Sequence, residues 1–361
     1  MKLDEIIAGI PKIPAERYRA ARQHWDTLAK PLGSLGVLEE NVTKIAALSG
    51  KRQLSRRTLL VFCSDNGVVA QGVSQSDASV TTAVAAALGR GDSTVNFMAK
   101  TANCTVLPVD IGMLEPTPPG VQKEKRMPGT HDITLGPAMT RETCIRAIET
   151  GFRLAEKQIK TGADILLLGE MGIGNTTTSA AVLAVLTGAD IDTVTGRGGG
   201  LTDEGFARKK AVLRRAVTRR AIDRRDVLDV LTAVGGLDLA AMTGAFLGCA
   251  HERIPAAADG FISVVAALCA VRLCPAAADY IFLSHDSYEP GYRMAARELG
   301  MTPCLHLGMR LGEGSGCPLL FRVLEGACGV MRGMATFAEA AIQDDYLEEI
   351  RAVDAFTVEG A

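Results

Sequence analysis

The chain has 361 residues, of which 47% are apolar, 22% charged and only 4% aromatic, with a formal net charge of −2. That length suits one large domain or two ordinary ones around an aliphatic, alanine-rich core. The near-neutral charge and the shortage of stacking residues argue against broad nucleic-acid binding. Nine cysteines form no CxxC pair and the five histidines lack ligand spacing. Buried, reduced thiols and no structural zinc are therefore expected.

The first residues, Met1-Lys2-Leu3-Asp4-Glu5, are charged and lead into a helix rather than an apolar core, so a soluble cytoplasmic protein is expected. Residues 1 to about 50 read as helical. Tyr18, Ala21 and Trp25 stand at helical spacing in a helix over Ala15–Ala29. The glycine-punctuated run Pro31-Leu32-Gly33-Ser34-Leu35-Gly36 opens a third helix ending near Gly50. Thr58–Cys63 is an apolar run of strand length that ends in the polar loop Ser64–Val69, and Val80–Leu88 is a helix. Cys104–Val109 is a second such strand, ending in Asp110-Ile111-Gly112. Pro116–Thr130, with four prolines and a charge cluster, reads as an excursion from the domain. The helix Arg141–Lys160 then leads to a third strand, Ala163–Leu168.

The stretch Gly169–Thr178, GEMGIGNTTT, joins that strand to an alanine-rich helix. Its glycines allow close backbone approach, and Asn175 with the threonines offers N–H and hydroxyl groups at a helix start, where the dipole favours an anion. It reads as a phosphate cradle, the alternative being a tight βα turn that holds no ligand. Position 175 is Asn where a nucleoside-triphosphate loop has lysine, and no GxGxxG is present, so a monophosphate fits better than a triphosphate or a dinucleotide. A carboxylate beside a phosphate is repelled, so Glu170 points at a hydroxyl or ring N–H, or is simply exposed.

Further on, Thr202 is placed to N-cap a helix after the loop Thr195–Leu201. Its basic run, Lys209, Lys210, Arg214, Arg215, Arg219 and Arg220, reads as a solvated face. Leu231–Ala250 is apolar but holds Asp238 and four glycines, so it is a buried helix or helix pair rather than a membrane span. Gly260–Val271 is helical. Tyr280–Leu283 is a short strand ending in Ser284-His285-Asp286-Ser287, and a mostly helical tail runs from Leu319 to Ala361. Glu313 is flanked by Gly312, Gly314, Ser315 and Gly316. Burial there would raise its pKa and make it a fair general base, the alternative being a solvated loop residue. Strands alternating with helices give a doubly wound, mostly parallel α/β sheet, whose polar loops converge on a crevice at the strands' carboxyl ends.

Taken together, these residues resemble one family along nearly the whole chain: the nicotinate-nucleotide–dimethylbenzimidazole phosphoribosyltransferases of cobamide lower-ligand assembly. The resemblance rests on Pro31–Gly36 with Leu38-Glu39; Asp65-Asn66-Gly67-Val68 with Gly72-Val73-Ser74; Gly169–Thr177; Gly196-Arg197-Gly198; Asp259-Gly260-Phe261; Ser284-His285 with Ser287, Glu289 and Gly291; and Arg310–Gly316. It implies transfer of a phosphoribosyl group from nicotinate mononucleotide to an azole, with inversion at the anomeric carbon. It also implies Glu313 as the base that takes the azole proton. Gly172, Ile173, Gly174, Asn175, Thr176 and Thr177 would hold the 5′-phosphate, aided by Lys209 and Ser287, which moves Lys209 off the solvated face. Ser76, Glu170, Leu311 and Gly312 would surround the acceptor base.

The implied fold is a Rossmann-like domain (51–324) beside a small helical domain from both chain ends (1–50 with 325–361). The implied assembly is a homodimer, or a heterodimer with a paralogous subunit, and no metal or cofactor is expected. Ser76, Asp77 and Ala78 stand where the family often has Tyr-Pro-Gln, Asn66 where His is common, and Cys317-Pro318 where small residues are usual. These departures fall around the acceptor and leave benzimidazoles, purines and phenols open. Two other readings stay open: a nucleotide hydrolase with a degenerate P-loop, and a non-catalytic nucleotide-binding subunit.

Overall fold

Continuous apolar strands need cover on both faces, and the fold supplies it. In the computed structural model, which describes residues 1–49, 54–348 and 350, six strands form one parallel sheet: β1 (Arg57–Ser64), β2 (Cys104–Gly112), β3 (Gln122–Lys123), β4 (Ile165–Met171), β5 (Ala256–Ala258) and β6 (Ile281–Leu283). Their order is β3-β2-β1-β4-β5-β6. Chain direction across the sheet reverses between β1 and β4. The loops after those two strands therefore splay to opposite faces and leave a crevice between them.

The elements read from the sequence are present with small shifts. Arg141–Lys160 is one helix with Thr140 as its N-cap, and Thr202 caps Asp203–Thr218 by accepting from the Gly205 N–H. The apolar run near 231–250 is a helix pair, Val227–Val234 and Leu237–His251, broken at Gly235-Gly236. The second of these is buried all round because it packs between the sheet and Arg141–Lys160. The two helix backbones meet there: a methyl group at Gly151 would overlap the Ala241 carbonyl, and one at Gly244 the Ile148 carbonyl. Among the described residues no helix is long and apolar enough to cross a membrane. All nine cysteines are free, and seven of them are buried.

Two expectations are corrected. Pro116–Thr130 is not an excursion, because Gln122 and Lys123 pair with Val109 and Asp110 to form the sheet edge, and Lys125 Nζ lies 3.4 Å from the Asp110 carboxylate. The tail is less helical than its composition suggests. The helix Cys317–Gly333 ends at Met334, and among the described residues only the short turn of helix Asp345–Leu347 follows as a named element. Residues 351–361 lie outside the described residues, as do 50–53.

The helices Ala15–Thr27, Val37–Ser49 and Cys317–Gly333 share an apolar cluster of Ala21, Trp25, Leu28, Val42, Ala327, Cys328 and Met331, separate from the main core. Leu3 and Ile6 of the first helix pack instead into the main core. The helix Cys317–Gly333 runs unbroken through 325.

Candidate active site

The crevice between the ends of β1 and β4 is lined by Ser74–Ser76, Glu170–Thr176, Arg197–Leu201, Gly260–Ile262, His285, Ser287, Glu289 and Arg310–Gly312. Its floor is the turn after β4. Gly174 sits at φ +91° as the N-cap of the helix Asn175–Thr187, a conformation that favours glycine. The N-terminus of this 13-residue helix faces the cleft. Part of the turn is already engaged. Ile173 N–H donates to Thr81 Oγ1 at 3.1 Å, Asn175 N–H to the Gly172 carbonyl at 3.1 Å, and Thr177 N–H to the Gly174 carbonyl at 2.9 Å.

Lys209 reaches this turn from the helix Asp203–Thr218. It is fully buried and its Nζ donates to Thr176 Oγ1 at 2.9 Å. Burial pulls its pKa down to about 8, with the Glu289 carboxylate acting the other way. A lysine held at a helix N-terminus beside a threonine hydroxyl has the chemistry to hold an anion such as a monophosphate. Ser287 and His285 complete that side, with Ser287 Oγ and the His285 ring edge each 3.6 Å from where a side chain on Gly260 would begin. His285 Nδ1 lies 3.0 Å from Ser284 Oγ and 3.8 Å from the Asp259 carboxylate. Asp259 also accepts from the Gly316 N–H at 2.7 Å and the Gly314 N–H at 3.2 Å, which ties down the glycine loop around Glu313.

Glu170 is buried rather than exposed, and it accepts from Asn175 Nδ2, which also donates to Asp238 at 3.2 Å. Burial, reinforced by the Asp238 carboxylate and opposed by the Asn175 hydrogen bond, pushes Glu170 up to about 8. Asp238 is raised to about 6, again mainly by burial. Gly312, at φ +87°, abuts Glu170: a side chain there would begin 2.8 Å from Oε1.

Of the residues singled out in the sequence, Gly172, Ile173, Gly174, Asn175, Thr176, Ser287, Ser76, Glu170, Leu311 and Gly312 all line this one cleft. Three stand behind the walls. Lys209 acts through Thr176. Thr177 is buried with its hydroxyl unpartnered, because the helix turns it into the core. Glu313, at φ +61°, directs its carboxyl behind Gly312 toward the Val95 N–H. Its Oε2 is buried without a partner, and burial raises its pKa against that N–H.

Sequence reasoning missed Asp238, Asp259 and Glu289 as site residues. A lone acid in a long apolar run was the available signal for Asp238. For Glu289 it was the two-glycine loop Gly196-Arg197-Gly198, which closes around its carboxylate.

A doubly wound parallel sheet with a glycine-rich turn, a helix N-terminus and a buried lysine at its switch point defines an α/β protein with a ligand cleft at the carboxyl ends of its strands. A family described as phosphoribosyltransferase matches residues 10–342. The chain is 41% identical to the nicotinate-nucleotide–dimethylbenzimidazole phosphoribosyltransferase of Clostridium tetani, over 97% of this chain and 98% of that one. It is 42% identical to the protein of the same name from Ruminiclostridium cellulolyticum, over 95% and 98%. The crystal structure of CobT from Thermus thermophilus superposes with a TM-score of 0.86 at 39% identity, covering 91% of this chain and 99% of that one. This chain belongs to the nicotinate-nucleotide–dimethylbenzimidazole phosphoribosyltransferase family.

Proposed function

We propose that the protein transfers the phosphoribosyl group of nicotinate mononucleotide to 5,6-dimethylbenzimidazole or a related azole, releasing nicotinate and forming an α-ribotide. The observation that carries this reading is the buried Lys209–Thr176 pair at a helix N-terminus, sharing one cleft with Glu170, Leu311 and Gly312. The first half suits a 5′-phosphate and the second a flat, weakly basic heterocycle.

In the reaction the unprotonated azole nitrogen attacks C1′ of the donor. The bond from C1′ to the pyridinium nitrogen breaks, and its electron pair neutralises that nitrogen, so the leaving group needs no proton. The proton on the other azole nitrogen goes to a carboxylate. Glu313 is the base in this reading, its carboxyl turning from Val95 past Gly312 into the cleft. Glu170, with its pKa near 8, stays protonated at neutral pH and so lets Glu313 ionise beside it. Lys209, Thr176 and Ser287 hold the phosphate, and much of the acceleration comes from holding the azole in line with C1′.

The same reading takes the protein as a cytoplasmic homodimer. Tyr288, Leu307 and Leu311 are large, exposed apolar side chains clustered in sequence around the cleft loops, and a second subunit would cover them. Sedimentation at micromolar concentration tests this, and a monomer would count against it. The activity is tested by incubating the protein with nicotinate mononucleotide and a panel of azoles, purines and phenols while measuring nicotinate and ribotide. No nicotinate release with any acceptor sinks the reading.

A further inference from the structure

Glu289 is only 7% exposed and sits on the phosphate side of the cleft, where a carboxylate is out of place. Its Oε1 accepts from the Gly198 N–H at 2.9 Å. Its Oε2 is buried and has no partner. Gly196 packs against that same Oε2, so closely that a methyl group there would overlap it. A side chain on Gly198 would begin 2.9 Å from Thr176 Oγ1 and 3.6 Å from Lys209 Nζ, so Glu289 stands one residue away from the phosphate-binding pair. The loop 196–198 thus fixes one oxygen and leaves the other, packed against Gly196 in the cleft wall, as an acceptor in need of a donor.

We infer that Glu289 recognises the ribose of the donor, its free carboxylate oxygen accepting a hydroxyl hydrogen. This rests on the mononucleotide reading above. An ionised phosphate presents acceptors to Oε2 and repels it. The nicotinate carboxylate has no hydrogen to give. On such a donor the only O–H or N–H groups besides a residual phosphate proton are the 2′ and 3′ hydroxyls, and they lie one short sugar away from the phosphate. A carboxylate satisfied on one oxygen and unpaired on the other suits a hydroxyl, as acidic residues do for ribose in other doubly wound sheets. Glu289 is then a specificity residue: a donor lacking the hydroxyl leaves a buried carboxylate oxygen unpaired.

The test compares nicotinate mononucleotide with its 2′-deoxy and 3′-deoxy analogues, using the full-length wild-type protein and the Glu289→Gln, Glu289→Ala and Gly196→Ala variants. Wild type is expected to lose roughly 10- to 150-fold in kcat/KM with one of the deoxy donors, the range for a hydrogen bond to a charged group. Glu289→Ala is expected to lose a similar factor with the full donor and to show no further deoxy penalty. Glu289→Gln, which keeps a neutral acceptor, should fall between. Gly196→Ala should mimic Glu289→Ala without removing the carboxylate. Absence of a deoxy penalty in wild type, or an undiminished penalty in Glu289→Ala, overturns the inference. Tighter binding of inorganic phosphate together with the full donor by Glu289→Ala also overturns it, since that marks Glu289 as a competitor of the phosphate. Calorimetric binding of ribose 5-phosphate against 2-deoxyribose 5-phosphate and 3-deoxyribose 5-phosphate repeats the comparison without turnover. A wild-type protein that discriminates there but releases no nicotinate refutes the transfer reaction and keeps the role of Glu289.

Discussion

Lys209 Nζ meets Thr176 Oγ1 at 2.9 Å, joining the helix Asp203–Thr218 to the start of the helix after β4 and burying an ammonium group at a helix N-terminus. Burial disfavours the charged form there, and the pKa falls to about 8. A bound phosphate restores the partner that water supplied, so the ammonium is the form that binds donor. As pH rises through 8 the free enzyme loses that proton, and kcat/KM for the donor should fall, because this parameter follows the free enzyme's pKa values. Lys209→Arg should move the falling limb to higher pH. Lys209→Ala should raise the donor KM by roughly 10- to 150-fold. A pH–rate profile of all three proteins checks this, and an unchanged alkaline limb in Lys209→Arg assigns that limb to another group.

Glu313 is held at φ +61° with one carboxylate oxygen buried and unpartnered, and its pKa is raised by burial. If it is the base, Glu313→Gln should lower kcat by about 10²- to 10⁴-fold and leave donor binding intact. Stopped-flow turnover alongside calorimetric donor titration separates the two effects. Full turnover in Glu313→Gln would remove Glu313 from the role of base.

The contrast between Lys209 and its neighbours shows what a sequence can and cannot convey about this site. Lys209 shares a helical stripe with Gly205, Val212, Leu213 and Ala216, all buried, so spacing alone separated it from the outward Arg208, Arg214 and Arg215. The basic run hid that stripe. The strands β1, β2 and β4 were legible because they are long, apolar and ended by polar loops. The edge strand β3 was not, having two residues in a proline-rich segment and no apolar period. The direction of the Glu313 carboxyl depends on a backbone torsion that glycine neighbours permit but do not dictate. Glu289 acquires its place only when the loop after Thr195 folds over it, a contact between residues about 90 positions apart.

Glu170 carries a stability signature with a definite sign. Its folded pKa of about 8 lies above its ordinary 4.5, so between those values the folded state holds a proton that the unfolded chain has released. Stability therefore falls as pH rises through that window, the ionised form being the costly one to bury. Glu170→Gln keeps an acceptor for Asn175 and removes the titration. The variant should gain on wild type from pH 5 to pH 8.5, by on the order of a few kcal/mol at most. Urea denaturation at the two pH values measures it. A pH-independent difference would mean that Glu170 ionises freely in the folded protein.

The contact between the helices Arg141–Lys160 and Leu237–His251 makes the last prediction, and it turns on two glycines. At Gly151 and Gly244 the facing atoms are backbone carbonyls, which cannot swing aside as a side chain can. Alanine is the better helix former at both positions by about 1 kcal/mol. Overpacking at a fixed backbone costs typically 1–3 kcal/mol and here requires one helix to shift off the other. The clash wins: Gly151→Ala and Gly244→Ala should each destabilise the protein by roughly 1–3 kcal/mol net or more. Gly329, in the helix Cys317–Gly333, has open space where its methyl group would go. Gly329→Ala should therefore stabilise by roughly 0.5–1 kcal/mol. Denaturation midpoints of the three variants should fall on opposite sides of wild type. Stabilisation by Gly151→Ala would show that the two helices are not packed backbone to backbone.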